Sequence, residues 1–222
     1  MKIVNHRIEG VTFRKSPNVG GKLVPQYLII HYDASNTAEG AISWMVSSKS
    51  KVSAHLSISR EGNIVQLVDF NVVAWHAGVS EWRGEKGLNN HTIGIELQNN
   101  GKQEYTELQL TALYEVSKVL MKDYNLKEVI GHSDISPVRK TDPSGVGYNL
   151  FNWVEFNSNV CLPVKALTTT SELNLRVHTS TDHKVLELIP KEAQVYELNR
   201  LGDWSKVQYG DKVGYVSNKY LQ

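Results

Sequence analysis

One cysteine, Cys161, stands in 222 residues. No intramolecular disulfide can form, and the composition fits a chain made in a reducing compartment. No apolar run approaches the ~20 residues that a membrane span requires. Charge of one sign is scarce as well: 24 Lys and Arg oppose 23 Asp and Glu, for a net charge of +1. That leaves no basic face for phosphate-backbone recognition, so nucleic acid is not an expected partner. The opening residues, Met1 to Arg7, lack the apolar stretch of a secretory signal, and synthesis in the cytoplasm is the expectation. Internal repeats and low-complexity tracts are absent, and nothing in the pattern speaks to oligomeric state. What is present, 41% apolar and 21% charged residues, is the composition of an ordinary globular protein.

The most informative stretch runs from Val129 to Ser144. A short apolar strand, Val129-Ile130-Gly131, leads into His132, and a proline-bounded loop then carries Lys140 and Asp142. Pro143 biases Asp142 toward extended geometry, and in an extended segment residues i and i+2 project to one side. Lys140 and Asp142 are therefore expected to reach one site together. Upstream, Tyr27 to Asp33 reads as a strand covered on both faces, with His31 at its C-terminal end. Asn36 and Glu39 suggest a capping box opening a helix from Ala38 to Ser47. Ser53 to Val68 reads as a hairpin around Gly62, and Ala74 to Gly78 as an irregular lining segment. In Thr92 to Gln98, Ile93, Ile95 and Leu97 take one face and Gly94 and Glu96 the other. Thr106 and Gln109 open the longest helix, Glu107 to Tyr124, with Asn125 as its left-handed stop. A last helix is expected over Asn149 to Asn157.

Strands alternating with helices, plus one hairpin, predict an α/β fold: a mixed central sheet flanked by helices. Beyond Cys161 the pattern changes. Five short strands with glycine-marked turns, from Leu173 to Ser217, predict a small all-β barrel. The expected division is a first domain over 1–160, a linker over 161–170 and a barrel over 171–222.

His31, His132 and Asp142 match a three-ligand zinc site with its fourth position left to water. A pair of hydrogen-bonded strand-end histidines is an equal reading of the same residues. Glu96 suits a general base or a solvated edge-strand carboxylate, and Lys140 an oxyanion partner or an ordinary loop lysine. His55 reads as a structural or supporting histidine next to the site. Trp75 and His76 can line a sugar or peptide groove, though a tryptophan at this place can equally belong to the core. Cys161 has no histidine motif near it and is not read as a nucleophile.

Six pieces in order carry a resemblance: Ile29-Ile30-His31, Val52-Ser53-Ala54-His55, Ile64-Val65-Gln66, Ala74-Trp75-His76-Ala77-Gly78, Thr92-Ile93-Gly94-Ile95-Glu96, and Gly131-His132 through Arg139-Lys140-Thr141-Asp142-Pro143. Over its first 155 or so residues the chain resembles the zinc-dependent N-acetylmuramoyl-L-alanine amidases related to peptidoglycan-recognition proteins. The resemblance implies one zinc per chain on His31, His132 and Asp142, proton transfer by Glu96 and polarisation of the scissile carbonyl by Lys140. The implied substrate is bacterial peptidoglycan. Two departures stand out. Ala54 occupies the place where some phage members carry a catalytic tyrosine, which shifts proton transfer to Glu96. Ser144 replaces the glycine that often follows the Asp-Pro pair.

The C-terminal segment, through Leu173-Asn174-Leu175-Arg176-Val177, Gly202 to Val207 and Gly214-Tyr215-Val216, resembles bacterial SH3-like domains that bind cell walls. Together the two resemblances imply, first, an endolysin that acts on the wall after release from the cytoplasm. The alternatives are a cytosolic amidase that recycles soluble muropeptides and a peptidoglycan-binding module without turnover. A barrel that serves only as an anchor is dispensable for chemistry, so a chain ending near Val160 is expected to cleave soluble muropeptides still.

Overall fold

The computed structural model describes residues 1–222. Its central sheet has six strands: Thr12–Phe13 (β1), Tyr27–Tyr32 (β2), Leu56–Ile58 (β3), Ile64–Gln66 (β4), Thr92–Leu97 (β5) and Glu128–Gly131 (β6), in the spatial order β6-β2-β5-β3-β4-β1. β6, β2, β5 and β3 run parallel, and β4 returns antiparallel to β3 as the predicted hairpin. The parallel strands are near-continuous apolar runs because both faces are covered. Leu28, Ile30, Ile93, Ile95 and Leu97 share one cluster with Leu113, Val116 and Leu120 of the helix Glu107–Asp123 (α2). On the other face Tyr27, Ile29 and Ile130 pack with Ala77, Trp82 and Ile135. The mixed α/β sheet expected from the sequence is the fold adopted.

Helix boundaries track local polar partners. α2 opens at Thr106, whose hydroxyl accepts from the Gln109 N–H, and Asn125 stands in the left-handed region at φ 49°. The first helix is Ala38–Met45 (α1), shorter than expected and capped by Thr37 rather than Asn36. Thr37 Oγ1 accepts from the Gly40 N–H, while the Asn36 amide oxygen takes a hydrogen bond from Asn100. At the other end, Ser16 and Asn18 donate to the Met45 carbonyl and Asn18 to that of Ser47, ending the helix early. His132–Ile135 (α3) is a single turn that directly follows β6, where the sequence reading had only strand and loop. The last helix, Trp153–Asn159 (α4), starts four residues later than predicted, because Asn152 accepts from the Glu155 N–H.

The C-terminal segment forms a second six-stranded, antiparallel sheet: Lys165–Thr168 (β7), Leu173–Arg176 (β8), Val185–Ile189 (β9), Gln194–Leu201 (β10), Trp204–Tyr209 (β11) and Lys212–Ser217 (β12), ordered β7-β10-β11-β12-β8-β9. The stretch read as linker supplies β7, which pairs with β10 and buries Leu167. Leu173, Leu175, Ile189, Val195, Val207 and Val216 complete the small core around it. Val213 is the exception: it joins the main cluster of the α/β half. No helix is long and apolar enough to cross a membrane.

Candidate metal centre and active-site cavity

Strand register assembles the site. β2 lies between β5 and β6; Glu96 pairs with His31, and Gly131 pairs with Ile30. His132, one residue beyond Gly131, therefore arrives beside His31 at the C-terminal edge of the sheet, where open α/β sheets place their ligands. Asp142 is brought back by its own loop. The Ser133 N–H donates to the Asp142 carbonyl (2.9 Å), and the Tyr105 hydroxyl donates to that of Pro143 (2.7 Å).

Three atoms then converge. His31 Nδ1 and His132 Nδ1 are 2.9 Å apart, and Asp142 Oδ2 lies 3.2 and 3.0 Å from them. All three residues are buried, at 1%, 3% and 5% exposure. Ligand atoms of a tetrahedral zinc with bonds of 2.0–2.1 Å stand about 3.3 Å apart, so this donor set fits the ion in both chemistry and spacing.

The hydrogen bonds behind the histidines fix their tautomers. His132 Nε2 is 3.1 Å from the Ala77 carbonyl, which can only accept. Its proton is therefore on Nε2, leaving a bare Nδ1 toward Asp142. For His31 the reasoning runs through two more residues. The Thr92 hydroxyl donates to the Leu88 carbonyl (2.6 Å), so its oxygen accepts from His76 Nε2–H (3.3 Å). His76 Nδ1 is then bare and accepts from His31 Nε2–H at 2.9 Å. His31 Nδ1 is bare in turn. Both imidazoles present lone pairs to one point, an arrangement suited to a cation and unsuited to mutual hydrogen bonding.

Electrostatics agree. Burial lowers His31 to about 4, with the neighbouring His132 adding to the effect, so the ring is neutral at pH 7. Burial alone would raise the Asp142 carboxyl, but the two histidine rings that face Oδ2 override it and hold it well below the usual carboxylate range. Glu96 moves the other way. Burial pushes its carboxyl well above the ordinary range, the charges of Asp142 and Asp33 add to this, and Lys140 opposes. Glu96 as a whole is partly buried, yet its Oε2 is sealed from solvent without a hydrogen-bond partner.

His31, Glu96, His132, Lys140 and Asp142 line one open cavity of about 260 Å³, with Trp75, His76, Trp44 and Asp33 among its other walls. The sequence reading missed two of these. Trp44, on α1, is 58% exposed at the cavity, a large aromatic off the helix's buried face. Asp33 follows His31 by two residues, and burial raises its carboxyl to about 6. Trp75 divides its surface between the cavity and the main core. His76, expected at a groove, is 8% exposed and bonded to His31. His55 is fully buried: its Nδ1 accepts from the Gly94 N–H and its Nε2–H donates to the Val72 carbonyl, both at 3.0 Å. It meets His76 edge-on (ring centroids 5.8 Å apart).

A family model described as N-acetylmuramoyl-L-alanine amidase matches residues 21–145, and one described as bacterial SH3 domain matches residues 171–222. The 1,6-anhydro-N-acetylmuramyl-L-alanine amidase AmpD of Haemophilus influenzae is 43% identical over 113 residues, which is 50% of this chain and 59% of that protein. The match thus spans less than two thirds of that relative's length. A crystal structure of an AmpD selenomethionine derivative superposes with a TM-score of 0.63 at 29% identity, covering 72% of this chain and 99% of that one. The amidase AmiD from E. coli, solved with the substrate anhydro-N-acetylmuramic acid-L-Ala-D-gamma-Glu-L-Lys, superposes with a TM-score of 0.55 at 29% identity, covering 69% of this chain and 60% of that one. With more than half of its residues inside the matched family model, this chain belongs to the N-acetylmuramoyl-L-alanine amidase family.

Proposed function

We propose that the chain is a zinc-dependent amidase that hydrolyses the bond between the lactyl carboxyl of N-acetylmuramic acid and L-alanine. The observation that carries this reading is the convergence of His31 Nδ1, His132 Nδ1 and Asp142 Oδ2, with the far nitrogen of each histidine tied down. Bound there, zinc supplies Lewis acidity and a water made acidic enough to react near pH 7. Every other contribution comes from the chain. Glu96 is the proton carrier: its carboxylate, at the cavity wall, takes a proton from the attacking water and returns it to the leaving amine of L-alanine. Its raised pKa suits both directions of transfer. The Lys140 ammonium stabilises the negative oxygen that develops on the scissile carbonyl. His76 orients His31, and Trp44 and Trp75 flank the bound substrate.

Soluble 1,6-anhydro-muropeptides stand first as substrate, ahead of the endolysin reading. The relatives that share substantial sequence are named for, or solved with, anhydro-muramyl compounds. A second reading, action on the polymeric wall, draws on the bacterial SH3 match at residues 171–222. Both are tested by incubating the full chain with purified anhydro-muropeptide and, separately, with insoluble peptidoglycan, each with and without a chelator. Chelator-sensitive release of peptides with a new L-alanine amino terminus, tenfold or more faster from the soluble substrate, supports the recycling-type reading. The reverse preference supports the wall enzyme. Binding of either material without release would make the protein a recognition module.

A further inference from the structure

The β-barrel reaches into the metal site's support. Asp134 sits two residues after the ligand His132 on the single turn α3, and it is 3% exposed. Its carboxylate collects three donors. Gly131 N–H, at the end of β6, donates to Oδ2 at 2.7 Å. The other two come from the barrel: Lys206 Nζ to Oδ2 at 2.7 Å, and the Tyr215 hydroxyl to Oδ1 at 2.8 Å. Lys206, on β11, is itself 5% exposed, and its ammonium lies 3.8 Å from the centroid of the Trp153 ring. Tyr215, on β12, is 2% exposed. His178, also from the barrel side, donates from Nε2 to the Asp134 carbonyl at 3.1 Å.

A buried lysine is rare unless paired, and this one spends its charge on a residue of the other half of the chain. The geometry downstream is short. Asp134 pins the Gly131 N–H, and so fixes the start of the turn whose first residue is His132. The next N–H of that turn, Ser133, holds the Asp142 main chain at 2.9 Å. Two of the three metal-facing atoms therefore hang on one turn, and the barrel grips that turn from behind.

We propose that Lys206 and Tyr215 are positioning residues of the metal centre, acting through Asp134, and that the barrel is a structural half of the catalytic unit. The inference rests on the reading that His31, His132 and Asp142 hold zinc. Partners that orient metal ligands at one remove are typically worth 10–100-fold in metal affinity. Lys206 and Tyr215 act one link further out, so the lower part of that range is expected.

The test uses the full-length chain and three variants: Lys206→Met, Tyr215→Phe and Lys206→Arg. Zinc affinity is measured by competition with a chelator of known strength, the cobalt(II)-loaded protein is followed by its visible absorption, and thermal melting is recorded on metal-free protein. Lys206→Met is expected to weaken zinc binding about tenfold and to change the cobalt spectrum, which reports ligand geometry. Tyr215→Phe should weaken binding by a smaller factor in the same direction, and Lys206→Arg, which keeps the charge, should recover part of the loss. Variants that melt earlier yet match the parent in zinc affinity and cobalt spectrum would show a purely structural contact and overturn the inference. Should Lys206→Met fail to fold, Tyr215→Phe decides alone, since it leaves the Lys206–Asp134 pair in place. Parent protein that takes up no zinc would instead overturn the metal reading, and the inference with it; the two failures are distinct.

Discussion

Gly94 lies directly beneath the His76 ring: a Cβ at this position would come within 2.5 Å of Nδ1, the atom that accepts the hydrogen bond from His31. The glycine is required for space, since the approaching imidazole leaves no room for a methyl group. Gly94→Ala is therefore expected to push His76 away, release His31 and weaken zinc binding about 10–100-fold. Chelator competition on the folded variant checks it, and parental affinity would remove His76 from the metal site's support.

Removing a ligand is a sharper intervention. His132→Ala and Asp142→Ala are each expected to lose zinc and amidase activity together. Either variant, purified with one zinc per chain, would falsify the ligand assignment.

Glu96→Gln separates chemistry from metal binding. Zinc content should stay at one per chain while turnover falls by about 10²–10⁴, the usual worth of a positioned acid–base group. Lys140→Ala should likewise keep the metal and lose about 10²–10³ in rate. Near-parental turnover in either would remove that residue from the mechanism.

Buried neutral histidines set an acid limit on stability. Burial lowers His55 to about 4 from 6.5, only partly offset by its bond to Val72. Between those two values the unfolded chain binds the proton that the folded chain refuses, so stability rises with pH across the window and is lost as acid is added. His55 alone is worth about 3 kcal/mol over that range, and His31 acts in the same sense in metal-free protein. Asp142, held low by its histidines, loses its contribution only below its ordinary value of 3.8. Asp33 and Glu96, raised by burial, act in the opposite sense over the same window. The histidine effect is therefore read in the chelated Asp33→Asn, Glu96→Gln variant, whose urea midpoint should fall steadily from pH 6.5 to 4.5. A midpoint that stays level across that interval would count against the neutral-histidine account.

For truncation the contacts lead to an expectation opposite to that from the sequence. Ending the chain near Val160 strips Lys206 and Tyr215 from Asp134, removes Val213 from the main core and uncovers Trp153. The truncated chain is expected to be poorly soluble or to melt far below the parent, with muropeptide cleavage lost alongside. Circular dichroism melts and an assay on soluble substrate measure both. A stable, active fragment would restore the anchor-only view of the barrel.

Much of the fold was legible because its signals are local. The alternation of Thr92–Leu97, the apolar run of Tyr27–Tyr32 and the Thr106 cap each follow from a few neighbouring side chains. That His31, His132 and Asp142 meet was suggested by their places at strand and loop ends, while the choice between their readings came from the family resemblance alone. Long-range partners were hidden. Nothing near Asn36 reveals that Asn100 takes its amide oxygen. His76 looked like a groove residue because the bond to His31 crosses 45 residues. Lys206 carries no sequence signal that singles it out, since its partner lies 72 positions away. Burial of a charge is decided by tertiary packing, and a single sequence carries little sign of it.

The contact of Lys206 with Asp134 also bears on how such a chain can change through recombination. Catalytic and wall-binding modules joined by a loose tether can be exchanged like cassettes. Here a cut at Val160 divides one carboxylate from two of its three side-chain or main-chain donors. A foreign barrel without a lysine and a tyrosine at matching places would leave a bare charge sealed beside the metal ligands. Shuffled descendants of this chain are therefore expected to inherit Asp134, Lys206 and Tyr215 as a set, or to replace all three at once.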